Sequence, residues 1–249
     1  APVTAHSPHQ VGPEWSDKYK GQFDQGWDQL REEIFTRQKD LGVIPPDAEL
    51  TARHAGIPAW DEMPDDLKPV LIRQMEVYAG FLEHTDVQYG RVLDELEAQG
   101  ILDNTLILFL ADNGASPEVP QRPGYDRTGQ TRDGRPVKYH NIPLDELGSE
   151  ISYTGIGTPW ANASNTPFRY WKQESFEGGC HAPLIAHWPD GLQAKPGSVC
   201  DAVAHVMDVM PTCLELAGIK CVMRNEYAAG AMGELAPIDV WPELWVLRD

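Results

Sequence analysis

The stretch Thr105-Leu-Ile-Leu-Phe-Leu-Ala-Asp-Asn-Gly114 joins a continuous apolar run to a short polar sequence. Apolar and polar residues do not alternate in the run, which is typical of a strand buried on both faces, as in a parallel sheet covered by helices. A helix is predicted before it, from about Asp65 to Gly100, because apolar residues recur at three- and four-residue steps. A helix followed by a buried strand predicts an α/β fold.

Weaker patterns on both sides of this stretch predict the remaining elements. They are a helix through Trp27 and Leu41 with Asp24 as its cap, a strand over Pro183–Trp188, and a helix from Asp208 to Gly218. The last helix is expected to bury a stripe made of Val209, Met210, Cys213, Leu214 and Ala217. Residues 117–164 are rich in Gly, Pro, Asp and Asn, which indicates a long functional loop or an insertion.

The composition indicates a folded chain and argues against some kinds of partner. Hydrophobic residues make up 41% of the 249 positions, enough to build a core. Twenty basic residues against 38 acidic ones give a net charge of −18, which argues against nucleic acid or an anionic membrane surface as a partner. No apolar run approaches the roughly 18 residues that a membrane span needs. The sequence carries no signal for an oligomeric state.

The cysteines and the start of the chain lead to two further expectations. The four cysteines, Cys180, Cys200, Cys213 and Cys221, match no zinc motif and are expected to be small buried residues. A Cys200–Cys213 or a Cys213–Cys221 disulfide is the alternative. The opening Ala1-Pro-Val-Thr4 has neither an initiator Met nor a signal sequence, which indicates a fragment or a processed product.

Asp112 and Asn113 are candidate metal ligands. They directly follow the predicted strand, and ligands bind at the carboxyl ends of strands in open α/β sheets. A carboxylate beside a carboxamide offers the oxygen ligands that Ca²⁺ or Mg²⁺ takes. The alternative interpretation is a simple turn, because Asn-Gly is a strong turn signal.

Lys172 and His6 are candidates for binding an anion. Lys172 precedes the second predicted strand and could pair with an anion as a point charge, with nearby Arg169 as the competing candidate. His6 could hold an anion or donate a proton to a leaving oxygen. The alternatives are a solvated surface lysine and an ordinary loop histidine.

The residues of several short segments, and the order of these segments along the chain, resemble those of type I sulfatases, in particular the bacterial arylsulfatase branch. The resemblance extends over roughly residues 1–219. The segments that carry it are His6-Ser-Pro8, Tyr19-Lys-Gly-Gln-Phe-Asp-Gln-Gly-Trp27, Gln74-Met-Glu-Val-Tyr-Ala79, Leu102-Asp-Asn-Thr105, Asp112-Asn-Gly114, Asn165-Thr-Pro-Phe168, Lys172, Glu177-Gly-Gly179, Pro183-Leu-Ile185, His187-Trp-Pro189 and Pro211-Thr212.

The resemblance implies an alkaline-phosphatase-like α/β sandwich with a mostly parallel central sheet. It implies hydrolysis of a small-molecule sulfate ester by a formylglycine nucleophile, with Ca²⁺ rather than Mg²⁺ holding the sulfate oxygens. Asp112 and Asn113 would bind the metal, and Lys172 would contact the sulfate and the bridging oxygen. His6 would bind sulfate and help to protonate the leaving alcohol. Many relatives are periplasmic or secreted, with the cytoplasm as the alternative location.

The sequence departs from the family pattern at both ends. No Cys/Ser-x-Pro-x-Arg motif, the source of formylglycine, occurs in it, and the early Asp pair of the metal site is missing. The chain is therefore expected to be a partial catalytic domain over residues 1–219, incomplete at its amino-terminal side and inactive by itself. Residues 220–249 form a divergent tail. The alternatives are a phosphodiesterase or phosphonate hydrolase of the same superfamily, and a non-catalytic sulfatase remnant.

Overall fold

The computed structural model describes residues 6–125, 127–200 and 202–219. Its elements in chain order are α1 (Pro13–Ser16), α2 (Gly26–Asp40), α3 (Lys68–Ala98), β1 (Ile107–Leu110), α4 (Gly157–Ser164), α5 (Glu177–Cys180), β2 (Leu184–His187) and α6 (Val209–Leu216). Short 3₁₀ turns lie at Asp17–Tyr19, Trp60–Glu62 and Val206–Asp208. The described residues divide into two compact units, one within residues 6–102 and 108–185 and the other within residues 103–107 and 186–219.

The two predicted strands are present and pair with each other in a two-stranded sheet. The mixture of helices and strands agrees with the predicted α/β class. The expectation that the first strand is buried on both faces is wrong, because Phe109 is 47% exposed and Leu110 is 36% exposed. The Tyr89 ring of α3 meets the Phe109 ring edge-on at 5.0 Å, but the exposure of Phe109 and Leu110 shows that the described residues do not cover both faces of the sheet.

The long helix α3 begins three residues later than predicted and ends two residues before Gly100. Its buried positions are Met75, Glu76, Val77, Gly80, Phe81 and Thr85. The predicted apolar stripe also includes Leu82 and Val92, yet Leu82 is 38% exposed and Val92 is 56% exposed. Periodicity therefore identified the helix correctly but overestimated the length of its buried face. No helix among the described residues combines the length and apolarity needed to cross a membrane.

A cluster of three tryptophans, Trp27, Trp60 and Trp160, lies at the centre of the main core. Their ring centroids are 4.7 to 5.8 Å apart, and Trp27 meets both of the other rings nearly edge-on. The indole of Trp160 is fully buried and donates a hydrogen bond to the Leu71 carbonyl oxygen at 2.9 Å. The cluster thereby joins α2, α4 and the start of α3. Other buried members of this core are Phe23, Ile57, Met75 and Ile156.

Two local expectations about the other helices are wrong. Asp24 does not cap α2, because the residue before that helix is Gln25 and no side chain caps it. The predicted stripe of α6 is not buried either, since Met210 is 64% exposed and Pro211 is the buried residue of that helix. A single amphipathic helix shows a stripe in sequence whether or not another element covers it.

The cysteines are also not buried in the described part of the chain. Cys180, Cys200 and Cys213 are exposed and have free thiols, so the expected burial and the Cys200–Cys213 disulfide are both wrong. Cys180 is the last residue of α5, Cys200 lies in a loop, and Cys213 lies on an exposed face of α6. Cys221, the fourth cysteine, lies outside the described residues.

The carboxyl end of α3 permits a direct test of backbone energetics. Gly100 has a φ of +69° and an added Cβ would meet nothing within 4 Å. Gly90, inside the same helix, has equally open surroundings. Gly100→Ala is expected to destabilise the chain by about 1–2 kcal/mol because an L side chain resists a positive φ. Gly90→Ala should instead stabilise it by about 0.5–1 kcal/mol, since alanine is the better helix former.

Urea denaturation of the two variants beside the wild type measures both changes. Because neither new methyl group has a neighbour, packing cannot account for a difference between them. The same sign for both changes would contradict this account of the helix end.

Candidate functional site

Residues 112–118, which follow β1 almost directly, form the segment around which the predicted site residues lie. Asp112 is exposed and makes no ion pair within the described parts of the chain. The side-chain nitrogen of Asn113 donates to the Gly114 carbonyl oxygen at 2.8 Å. That hydrogen bond commits the amide nitrogen, so the amide oxygen is the end of Asn113 that is left for a ligand.

Gly114 lets this segment approach the chain that leads into the second strand. A Cβ on residue 114 would lie 1.8 Å from the Gly178 carbonyl oxygen, a distance at which two atoms cannot coexist. The Gly114 amide donates to the Gly179 carbonyl oxygen at 3.0 Å. The Asn-Gly sequence is therefore more than a local turn, because glycine is required where residues 112–118 meet α5.

The chain that carries Lys172 is joined to the same segment. The Lys172 amide donates to the Ala115 carbonyl oxygen at 3.0 Å, and the Ala115 amide donates to the Asn165 side-chain oxygen at 2.9 Å. The nitrogen of that same Asn165 side chain donates to the Tyr170 carbonyl oxygen at 3.1 Å. Asn165 thus ties the end of α4, the Lys172 loop and the segment after β1 together.

Lys172 lies in a backbone of unusual conformation. Tyr170 has a φ of +68° and Gln173 a φ of +82°, both in the left-handed region that non-glycine residues rarely adopt. Such conformations cost on the order of 1–3 kcal/mol each and concentrate at functional sites. Within the described residues, the Lys172 ammonium forms no ion pair, so its charge is not neutralised by a neighbouring carboxylate.

His6 is joined to the 112–118 segment through Glu118. The Nε2 atom of His6 lies 3.1 Å from Oε2 of Glu118. The other carboxylate oxygen of Glu118 accepts a hydrogen bond from the side chain of Gln173 at 3.0 Å. Glu118 therefore links His6 to the residue next to Lys172.

The chain that carries His6 is held in place by backbone hydrogen bonds to residues 148–154. The His9 amide donates to the Thr154 carbonyl oxygen at 3.1 Å, and the Val11 amide donates to the Gly148 carbonyl oxygen at 2.9 Å. His6 thus lies beside Glu118 because its neighbours are anchored, although 112 positions separate the two residues in sequence.

Arg169, the competing candidate for the role of Lys172, points elsewhere. Its guanidinium lies 5.4 Å from the ring centroid of Phe176, and the residue is exposed.

The loop that carries Arg169 is supported by Arg31, which is 4% exposed and donates to the Thr51 and Phe168 carbonyl oxygens. Burial lowers the pKa of the Arg31 guanidinium from its ordinary value, with the charge of Asp28 opposing that shift.

The residues present suit a calcium ion only as part of a larger ligand set. Asp112 and the amide oxygen of Asn113 are hard oxygen ligands, but Ca²⁺ takes six to eight of them. Within the described part of the chain, no three His, Cys, Asp or Glu side chains are grouped so as to hold a metal. Asp112 and Asn113 therefore fit as two ligands among several.

Sequence reasoning missed Glu118 and Gln173. No spacing rule singles them out, because their role depends on contacts with residues far away in the chain. The sequence Asn162-Ala-Ser164 has the form of a glycosylation acceptor. Asn162 is only 1% exposed, which removes it as an acceptor in the folded chain.

Comparison with known proteins gives the same assignment throughout. The family described as Sulfatase matches residues 1–219. An uncharacterized sulfatase of Schizosaccharomyces pombe is 38% identical over 220 residues, which are 88% of this chain and 38% of that protein. An arylsulfatase of Klebsiella aerogenes is 32% identical over 216 residues, 86% of this chain and 44% of that enzyme.

A more distant relative, human N-acetylgalactosamine-6-sulfatase, is 28% identical over 142 residues, 57% of this chain and 20% of that protein. The chain thus spans less than half the length of the curated relatives that it matches. The family match covers most of the chain and includes every residue of the candidate site. The chain belongs to the sulfatase family.

Proposed function

We propose that the protein to which this chain belongs hydrolyses sulfate esters of the arylsulfatase type. In this proposal the chain supplies part of the metal and sulfate site but not the nucleophile. The observation that carries the proposal is the meeting of three distant segments at residues 112–118, which brings His6, Lys172 and the Asp112-Asn113 pair to one region. Membership of the sulfatase family supports it.

The chemistry of sulfate transfer explains why these residue types are needed. Negative charge has to be stabilised on the sulfate oxygens and on the bridging oxygen as the sulfur–oxygen bond breaks. The ammonium of Lys172, which forms no ion pair among the described residues, can supply that stabilisation as a point charge. His6 in its protonated form can bind a sulfate oxygen and give its proton to the departing alcohol.

Asp112 and Asn113 would hold Ca²⁺ together with ligands from outside these 249 residues. The ion would neutralise charge on the sulfate oxygens. Mg²⁺ is the less suitable ion, because it demands a stricter octahedral geometry than this loop segment imposes. The nucleophile, a formylglycine, would come from a Cys/Ser-x-Pro-x-Arg segment, which the present sequence does not contain.

The test compares this chain with an N-terminally extended polypeptide that carries the Cys/Ser-x-Pro-x-Arg motif. Hydrolysis of p-nitrophenyl sulfate is measured for both with added Ca²⁺, and again after chelation. We expect hydrolysis by the extended polypeptide alone and its loss on chelation. The matched control is the extended polypeptide with the motif's Cys or Ser replaced by Ala, which should be inactive because it cannot form the nucleophile.

The other outcomes identify the alternatives. Faster cleavage of bis-p-nitrophenyl phosphate than of p-nitrophenyl sulfate would move the protein to the phosphodiesterase and phosphonate hydrolase side of the superfamily. Hydrolysis by the isolated chain would disprove the partial-site proposal. Absence of both activities from a folded extended polypeptide would indicate a non-catalytic remnant.

A further inference from the structure

Both ring nitrogens of His6 face an oxygen that accepts hydrogen bonds. Nδ1 lies 2.8 Å from the Ser7 carbonyl oxygen, and Nε2 lies 3.1 Å from the Glu118 carboxylate. A neutral imidazole carries one N–H and could satisfy only one of these acceptors. The Ser7 hydroxyl oxygen also lies 3.5 Å from Nδ1. Whichever form the ring takes, a hydrogen on Nε2 is donated to the Glu118 carboxylate.

This pairing leaves His6 without a free hydrogen for another ligand. A sulfate oxygen needs the Nε2 hydrogen, which the Glu118 carboxylate already accepts. The side chains of His6 and Glu118 are 41% and 26% exposed, so an anion from solvent can reach the pair without unfolding the chain. The Ser7 carbonyl oxygen belongs to the anchored backbone, whereas Glu118 is a side chain that can rotate away.

We infer that Glu118 is a displaceable internal anion that occupies the sulfate-binding nitrogen of His6 until substrate takes its place. This inference rests on the proposed function and deepens it, because it makes Glu118 a residue that determines specificity. A ligand has to compete with a carboxylate for His6. Sulfate esters carry a full negative charge and can do so, whereas neutral esters cannot.

Gln173 gives the displaced carboxylate a second partner. Its side chain already donates to Oε1 of Glu118 at 3.0 Å, so Glu118 keeps one hydrogen bond when it leaves His6. Gln173 also neighbours Lys172, whose charge attracts the incoming sulfate. The exchange therefore replaces one anion on His6 by another while the Glu118 carboxylate keeps a hydrogen-bond donor.

The experiment follows the ring nitrogens of His6 by ¹⁵N NMR in this chain during titration with sodium sulfate at constant ionic strength. Glu118→Gln keeps the size of the side chain and removes its charge, and Glu118→Ala removes both acceptor oxygens. Both variants should bind sulfate about fivefold more tightly, as expected for loss of a partly exposed competing ion pair. Glu83→Gln is the control, because it removes the same charge from a residue of α3 that forms an ion pair with Lys18.

Unchanged or weaker sulfate binding in both Glu118 variants, with His6 signals intact, would overturn the inference. In the extended polypeptide, Glu118→Gln should lower KM for p-nitrophenyl sulfate about fivefold and change kcat by less than about twofold. Glu118-dependent sulfate binding without ester hydrolysis would disprove the proposed function and leave the exchange at His6 standing. Hydrolysis whose KM does not depend on Glu118 would disprove the exchange alone.

Discussion

Replacing Lys172 with alanine is expected to lower kcat/KM for p-nitrophenyl sulfate in the extended polypeptide by about 10²–10³-fold, the usual cost of removing one group that stabilises transition-state charge. Lys172 has no ion pair in the described residues, and the backbone on both sides of it is held in the left-handed region. Both features fit a cation whose position serves a ligand. Steady-state kinetics of the purified variant measures the loss.

Two other cations serve as controls for this prediction. Arg169→Ala tests the competing candidate, and Lys195→Ala removes an exposed lysine from a different compact unit. Each should change kcat/KM by no more than about twofold, because the Arg169 guanidinium lies by the Phe176 ring and the exposed Lys195 side chain has no hydrogen bond or ion pair among the described residues. A larger loss for Arg169→Ala than for Lys172→Ala would transfer the sulfate-binding role to Arg169.

Replacing Trp160 with alanine should lower the free energy of unfolding by about 3–5 kcal/mol, as measured by urea denaturation followed by fluorescence. The indole is fully buried between Trp27 and Trp60 and donates its N–H to the Leu71 carbonyl oxygen. Its loss opens a cavity that three separate elements surround. A domain has only about 5–15 kcal/mol of stability in total, so the variant is expected to be close to unfolding.

Trp15 provides the matched control for the same substitution. It is half-buried, and its ring meets His84 edge-on at 5.1 Å and Lys18 at 4.3 Å. Trp15→Ala should cost less, about 1–2 kcal/mol, because the ring is only partly buried and its loss leaves no enclosed cavity. Equal losses for the two variants would show that the tryptophan cluster is not the centre of the core.

Trp160 also connects the stability of the core to the geometry of the site. It lies in α4, which ends next to Asn165, and Asn165 holds both Ala115 and the Lys172 loop. A milder variant, Trp160→Phe, is therefore expected to reduce activity more than a surface change of equal stability cost. The Lys172 loop depends on a helix whose position the core sets.

Several parts of this protein follow from its sequence. The helix at Lys68–Ala98 was predictable because its periodicity persists for many turns, and the strand at Ile107–Leu110 because its apolar run ends at turn residues. Family membership followed from the order of short motifs. The helix and the strand depend on patterns within one segment, and the family depends on several short motifs taken together, so no three-dimensional information is needed to find them.

Burial was less predictable than secondary structure. Leu82, Val92 and Phe109 occupy apolar positions of the pattern but are exposed, and Cys213 lies free at the surface. An apolar pattern states which face of an element could be covered. Whether another element covers that face depends on the packing of segments that are distant in sequence.

The sequence alone was therefore enough to predict α2, α3, β1, β2 and α6, the family, and Asp112, Asn113, Lys172 and His6 as candidate site residues, but it missed α4, which lies in the stretch read as a loop. Which of these segments meet depended on tertiary packing, which also made Glu118 the partner of His6. The physical reason is that a hydrogen bond between residues 6 and 118 leaves no periodic trace in either segment. The contact arises because residues 148–154 hold the segment that carries His6, and because the segment that carries Glu118 follows the end of β1.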